Sequence, residues 1–248
     1  MAGDADVPGE KIALITGANK GIGFEIARRL GQRGIFVLIG ARDGTRGQRA
    51  AAALTAEGLP VAALAIDVTD GASVAGAAGD IGQRHGRLDI LVNNAGITGG
   101  FRGPPSEVTL NQMREVYETN VFGAIAVTNA MLPLLRRSPA ARIVNMSSGL
   151  GSLTWNADPE SEFANYNLVT YQSSKTALNA VTLGYAKELR ESGIKVNCAD
   201  PGFTATDLNQ HRGYRTVEQA AVIAVRLATL GPDGPTGTFQ DENGVVPW

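Results

Sequence analysis

One segment constrains the fold of this chain more than any other. Residues 11–16, KIALIT, form a short apolar run that stops at Gly17-Ala18-Asn19-Lys20-Gly21-Ile22-Gly23. Helical spacing follows over residues 21–33, with Ile22, Ile26 and Leu30 on one face. A buried strand, a tight glycine turn and a helix N-terminus, in that order, are what a dinucleotide-binding unit requires. Gly17 permits the turn, Gly21 lets the backbone approach a pyrophosphate, and Gly23 lets helix and strand pack closely. The helix N-terminus offers free N–H groups and the positive end of its dipole.

The same alternation continues along the chain. Apolar runs at residues 35–40, 61–66, 88–92, 142–146 and 194–199 read as buried strands, with a short seventh at 238–240. Helices are predicted at 46–57, 73–84, 110–135, 171–191 and 216–230. Gly76, Gly79 and Gly82 weaken the third helix, and Pro133 falls near the end of the long one. Such alternation implies an α/β fold: one Rossmann-type, doubly wound parallel sheet of about seven strands with helices on both faces. Residues 1–10 read as a flexible N-terminal segment and 11–248 as a single domain. The stretches 96–107, 149–168 and 201–215 lack periodicity and follow strands, so they are expected to surround one site at the carboxyl edge of the sheet.

Composition removes several alternatives. With 31 glycines but only 11 prolines in 248 residues, the chain is neither collagenous nor disordered in type. A net charge of -2 argues against nucleic acid as a partner. One cysteine, Cys198, and two histidines, His85 and His211, make no metal site expected. These three, and the two tryptophans, read as structural or peripheral. Residues 1–10 are polar and acidic, unlike a signal peptide, and no long apolar run is present. A soluble, cytoplasmic protein with a small-molecule substrate is the expectation.

Four motifs in order carry a resemblance. Thr16-Gly17-x-x-x-Gly21-x-Gly23 is followed by Asn93-Asn94-Ala95-Gly96, by Tyr171-x-x-x-Lys175, and by Pro201-Gly202. The chain resembles the short-chain dehydrogenase/reductase family, and most closely its NADPH-dependent carbonyl reductases. Asn19-Lys20-Gly21-Ile22-Gly23, Ala41-Arg42-Asp43 and the tail from Gly237 to the terminal Trp248 match that branch.

The residue after the second strand bears on the cofactor. A carboxylate there suits the ribose hydroxyls of NAD, whereas the guanidinium of Arg42 suits a 2′-phosphate. Lys20 adds a second cation, so the charges favour NADP(H). Asp43 competes as a ribose ligand or serves to orient Arg42. The resemblance implies that Asp67 and Val68 border the adenine and that Asn94, Ala95 and Gly96 line the far side of the cofactor. It further implies that Pro201, Gly202 and one of Thr204 or Thr206 hold the carboxamide. Asn93 reads as structural.

Reduction of a carbonyl needs a proton donor at the carbonyl oxygen. Tyr171 and Lys175 share a helix face, and a neighbouring ammonium lowers a phenol from its ordinary value of about 10. The resemblance implies Tyr171 as general acid, Lys175 as its activator and ribose ligand, and Ser148 rather than Ser147 as the group that orients the carbonyl. Asn120 corresponds to an asparagine that bonds a relay water behind the lysine. The expected activity is reduction of a ketone or aldehyde. An oxidative alcohol or steroid dehydrogenase, and a non-catalytic NADP(H) sensor, are the competing readings. Ser148 and Tyr171 stand 23 positions apart, more than the commoner family spacing. The resulting insertion within 153–169 is shorter than that of the monomeric carbonyl reductases, which leaves monomer or homo-oligomer open.

Overall fold

The computed structural model describes residues 11–248, so the segment expected to be flexible at 1–10 lies outside the described residues. The elements run in the expected alternation. They are β1 (Ile12–Thr16), α1 (Gly21–Gly31), β2 (Phe36–Ala41), α2 (Gly44–Ala56), β3 (Val61–Ala65), α3 (Gly71–His85) and β4 (Ile90–Asn93). Then come α4 (Leu110–Tyr117), α5 (Ala124–Leu135), β5 (Arg142–Met146), α6 (Leu153–Ala157), α7 (Val169–Glu188), β6 (Lys195–Ala199), α8 (Val217–Ala228) and β7 (Phe239–Gln240).

The seven strands form one parallel sheet in the order β3-β2-β1-β4-β5-β6-β7. Strand order reverses between β1 and β4, which is where such a sheet opens a crevice at its carboxyl edge. Successive strand residues feed opposite faces. Ile15 and Ile39 pack with Ile26, Leu30 and Leu54, while Leu14 and Leu38 pack with Ile81, Met131 and Leu135. Burial on both faces explains why these strands read as unbroken apolar runs.

The predicted third helix forms despite its glycines, and two local outcomes differ from expectation, a π-helical turn and an added short helix. The glycines of α3 do not interrupt it, because Val74, Ala77 and Ile81 bury one face and Asp70 caps its start. Tertiary burial outweighs weak propensity here. The expected single helix over 110–135 is divided by a π-helical turn, Glu118–Gly123. A β-carbon at Gly123 would meet Val68, so the wide turn lets the backbone lie against β3's outgoing loop. Pro133 sits in the last turn of α5 without ending it early. The short α6, capped by Ser152, falls in the stretch that showed no periodicity.

Among the described residues, no helix is long and apolar enough to cross a membrane. No cluster of three or more metal-ligating side chains occurs there either.

Candidate active site

A cleft of about 790 Å³ opens at the reversal point of the sheet. Every residue expected at the cofactor lines it except Gly202 and Thr204. Gly17 and Gly21 have φ of +64° and +60°, which other residues rarely adopt. A β-carbon at Gly23 would overlap the amide of Asn94 and come within 2.9 Å of the Gly17 carbonyl. Helix α1 begins at the cleft with no acid in its first turn, and Lys20 at its N-cap makes no capping bond. Its leading N–H groups are therefore open to an anion. This donor set fits the pyrophosphate of a dinucleotide.

Arg42, Asp43 and Arg46 stand together at one end of the cleft. Asp43 caps α2: Oδ1 accepts from Arg46 N at 3.0 Å and Oδ2 pairs with Arg46 Nε at 3.3 Å. The carboxylate is thus committed to Arg46, and no bond to Arg42 orients that guanidinium. Arg46, absent from the sequence expectation, adds a third cation to the site. Its signal was legible as the residue three past an Asp helix cap. Asp67 is partly buried, which opposes its ionisation. Bonds from Thr69 N and Oγ1, with Arg42 nearby, outweigh this and hold the carboxyl below its ordinary range.

Asn94 donates from Nδ2 to Thr16 O at 2.9 Å and Gly17 O at 3.2 Å, so its side chain braces the glycine turn. Asn93 ties β4 to Asn145 and Thr128, in keeping with its structural reading.

Lys20 does not stand free beside the expected phosphate position. Its ammonium pairs with Asp207 Oδ2 at 2.6 Å, and Asp207 Oδ1 lies 2.8 Å from Nε2 of His211. His211 lines the cleft, which corrects its reading as peripheral. Thr206 faces the cleft, whereas buried Thr204 donates to the carbonyls of Pro201 and Gly202. Gly202 turns the chain at φ +69° and lies against Arg215. Of the two threonines left open, geometry favours Thr206.

Tyr171 and Lys175 are adjacent on one face of α7, 9% and 5% exposed. The Lys175 ammonium lies 5.5 Å from the centre of the Tyr171 ring and donates to Met146 O at 2.7 Å. Burial pushes the Tyr171 hydroxyl up to about 12, against a hydrogen bond from Ser148 that lowers it. Burial also brings Lys175 down to about 8. The phenol thus lies above its ordinary value rather than below it as expected, because burial, with the Asp200 charge adding to it, disfavours the phenolate. At neutral pH the tyrosine holds its proton.

Ser147 borders the cleft, but its hydroxyl is buried and donates to Asn179 Oδ1 at 2.6 Å. Ser148 is the serine bonded to Tyr171. Asn120 sits in the π-helical turn. Its Nδ2 donates to Ile97 O and Ser174 Oγ, both at 2.9 Å, and Oδ1 accepts from Ile97 N. Both amide hydrogens are spent on protein groups. Cys198 is buried and its thiol is pushed up to about 12, mainly by burial.

Tyr171 also lines a second cavity of about 550 Å³, together with Ser148. The insertion supplies one wall: Trp155 and Phe163 stack with centroids 5.3 Å apart, and Tyr166 joins them. The segment after β6 supplies the opposite wall through Phe203 and Tyr214. Trp248 O accepts from Thr154 N and Oγ1, which ties the insertion to the chain's end.

The family model described as short chain dehydrogenase matches residues 11–215. A short-chain dehydrogenase, anuI, from Penicillium roqueforti is 37% identical over 246 residues, covering 95% of this chain and 96% of its own. Salutaridine reductase from Papaver somniferum superposes with a TM-score of 0.82 at 30% identity, covering 93% and 99% of the two chains. The NADPH-bound carbonyl reductase from chicken fatty liver gives a TM-score of 0.84 at 29% identity, covering 96% and 99%. With a family model over residues 11–215 and relatives that match along nearly the whole chain, this protein is an oxidoreductase of the short-chain dehydrogenase family.

Proposed function

We propose that this protein reduces a ketone or aldehyde to an alcohol with NADPH. The observation that carries the reading is the place of Tyr171: its side chain lies where the cleft meets the aromatic cavity, bonded to Ser148. When bound, the reduced nicotinamide supplies the hydride. The open N–H groups of α1 suit the pyrophosphate, and Arg42 and Arg46 suit a 2′-phosphate.

Ser148 and Tyr171 then hold the carbonyl oxygen between two hydroxyls. Tyr171 keeps its proton at neutral pH and releases it to the oxygen as negative charge develops there. The Lys175 ammonium stabilises the phenolate left behind, and Lys175 suits the ribose hydroxyls. Asn120 acts on this arrangement by fixing Ile97 and Ser174. A relay water at Asn120 is left only oxygen lone pairs as partners, because its amide hydrogens are taken. A protonated Tyr171 is the form that reduction requires. A formed cavity around Ser148 and Tyr171 favours an enzyme over a cofactor sensor.

Purified protein mixed with NADPH and a panel of aromatic and aliphatic ketones should consume the reduced cofactor. Tight NADPH binding with no turnover of any ketone or aldehyde would count against catalysis.

A further inference from the structure

The aromatic cavity contains a buried carboxylate whose charge helps hold the proton on Tyr171 but to which the proton transfer itself gives no role. Asp200, the last residue before Pro201, is 7% exposed and lines the cavity. Its Oδ1 accepts from Gly202 N at 2.9 Å, and the amide of Gly149, next to Ser148, also donates to it. Gly149 is closely packed and has no room for a side chain. A β-carbon placed there would lie 3.0 Å from Asp200 Oδ2, 3.0 Å from the Trp155 ring and 2.8 Å from the Phe163 ring. The carboxylate and the stacked rings thus converge beside Ser148.

Among the described residues, no cation pairs with this carboxylate directly. Arg215 is the basic group that Asp200 senses, but its two terminal nitrogens are held by Glu242. Asp241, which is also near, has the same sign and accepts from the backbone of its own turn. Arg102, Arg212 and Glu162 stand at the exposed rim, where water and salt screen them. Asp200, being buried, acts through a less polar medium than these rim charges do. Desolvation, offset by the two backbone bonds, still raises the Asp200 carboxyl above its ordinary range. A ligand of opposite charge relieves that cost.

Aromatic faces with one unneutralised carboxylate are suited to an ammonium group. We infer that Asp200, with Trp155 and Phe163, forms a recognition site for a protonated amine carried by the carbonyl substrate. The inference rests on the reductase reading only in taking this cavity as the place where substrate binds.

The test is calorimetric titration of the full chain with phenethylammonium and with its neutral counterpart 2-phenylethanol, with and without NADP+. The wild type is expected to favour the ammonium by about tenfold or more, the range of one charged hydrogen bond. Asp200→Asn keeps an oxygen for Gly202 N, so it removes the charge while retaining the turn. It should abolish the preference, whereas Asp241→Asn should keep it. Trp155→Leu should weaken the ammonium by about two- to fivefold through lost cation–π contact and still leave it favoured. This variant gives a reading even if Asp200→Asn does not fold.

Equal binding of the two ligands by the wild type, or a preference that survives Asp200→Asn, overturns the proposal. A protein that reduces neutral ketones but shows no ammonium preference overturns the Asp200 site alone. Absence of turnover overturns the reductase reading, and the titration still decides Asp200.

Discussion

The Lys20 ammonium lies 2.6 Å from Asp207 Oδ2, an ion pair joining the glycine turn after β1 to the segment after β6. Both side chains are more than half exposed, so the pair is a weak restraint against water. It does decide where Lys20 points. A lysine read from sequence as a phosphate ligand is already engaged by a carboxylate, and any phosphate brought to it has to compete with Asp207.

Asp207→Asn releases Lys20 and removes a negative charge from the mouth of the cleft. NADPH should then bind more tightly, by about two- to fivefold given the small size of exposed ion pairs. Fluorescence titration of NADPH measures it. Weaker binding would show that Asp207 holds the segment in place rather than competing for Lys20.

Cofactor preference should lie in Arg42 and Arg46 together. Asp43 is already the cap of α2 and the partner of Arg46. Arg42→Asp should lower the NADPH-over-NADH ratio of kcat/KM by about tenfold or more, as loss of a charge-assisted bond implies. Arg46→Ala should lower it less. An unchanged ratio in both variants would move the choice to Lys20.

Tyr171→Phe should reduce kcat by about a hundredfold or more, the usual contribution of a positioned acid, and leave NADPH binding intact. The pH profile of reduction follows from Lys175, which burial brings to about 8. As pH rises through that value the ammonium loses its proton and no longer stabilises the phenolate. The rate should be level below pH 8 and fall above it. A rate that climbs across the same range would contradict this assignment.

Lys175 also has a predictable effect on stability. Its folded value of about 8 lies below its ordinary 10.5, so between those values the unfolded chain binds more protons than the folded one. Stability contributed by this group therefore rises with pH across that window, and the cost of burying the charge is fully present below it. Lys175→Met should melt a few degrees higher than the wild type at pH 7 in the absence of cofactor. The difference should shrink towards pH 10. A lower melting temperature at pH 7 would mean that the bond to Met146 O outweighs desolvation.

Gly23→Ala is expected to destabilise by about 1–3 kcal/mol, the usual cost of overpacking, because the new methyl meets the Asn94 amide and the Gly17 carbonyl. Thermal unfolding measures it. Gly76→Ala, at a place where an added β-carbon meets nothing within 4 Å, should stabilise α3 slightly. Similar outcomes at both sites would show that the turn has room to relax.

The local features of this protein are legible in its amino-acid order. The apolar run before Gly17, the glycine turn and the spacing of Tyr171 and Lys175 each depend on a few consecutive residues. Strand period, turn chemistry and helix geometry act over that range, and the parallel sheet with helices on both faces follows from them, whereas the strand order with its reversal between β1 and β4 is a tertiary outcome. Tertiary packing decided the rest. Lys20 meets a partner 187 positions away, and Thr206 rather than Thr204 reaches the cleft. An insertion without periodicity becomes an aromatic cavity wall, and a π-helical turn appears where Gly123 meets Val68. The ionisation of Tyr171 and Lys175 belongs to the same group. Spacing along a helix brings the two together, but burial sets the pH at which each gives up its proton, and burial is a property of everything packed around them.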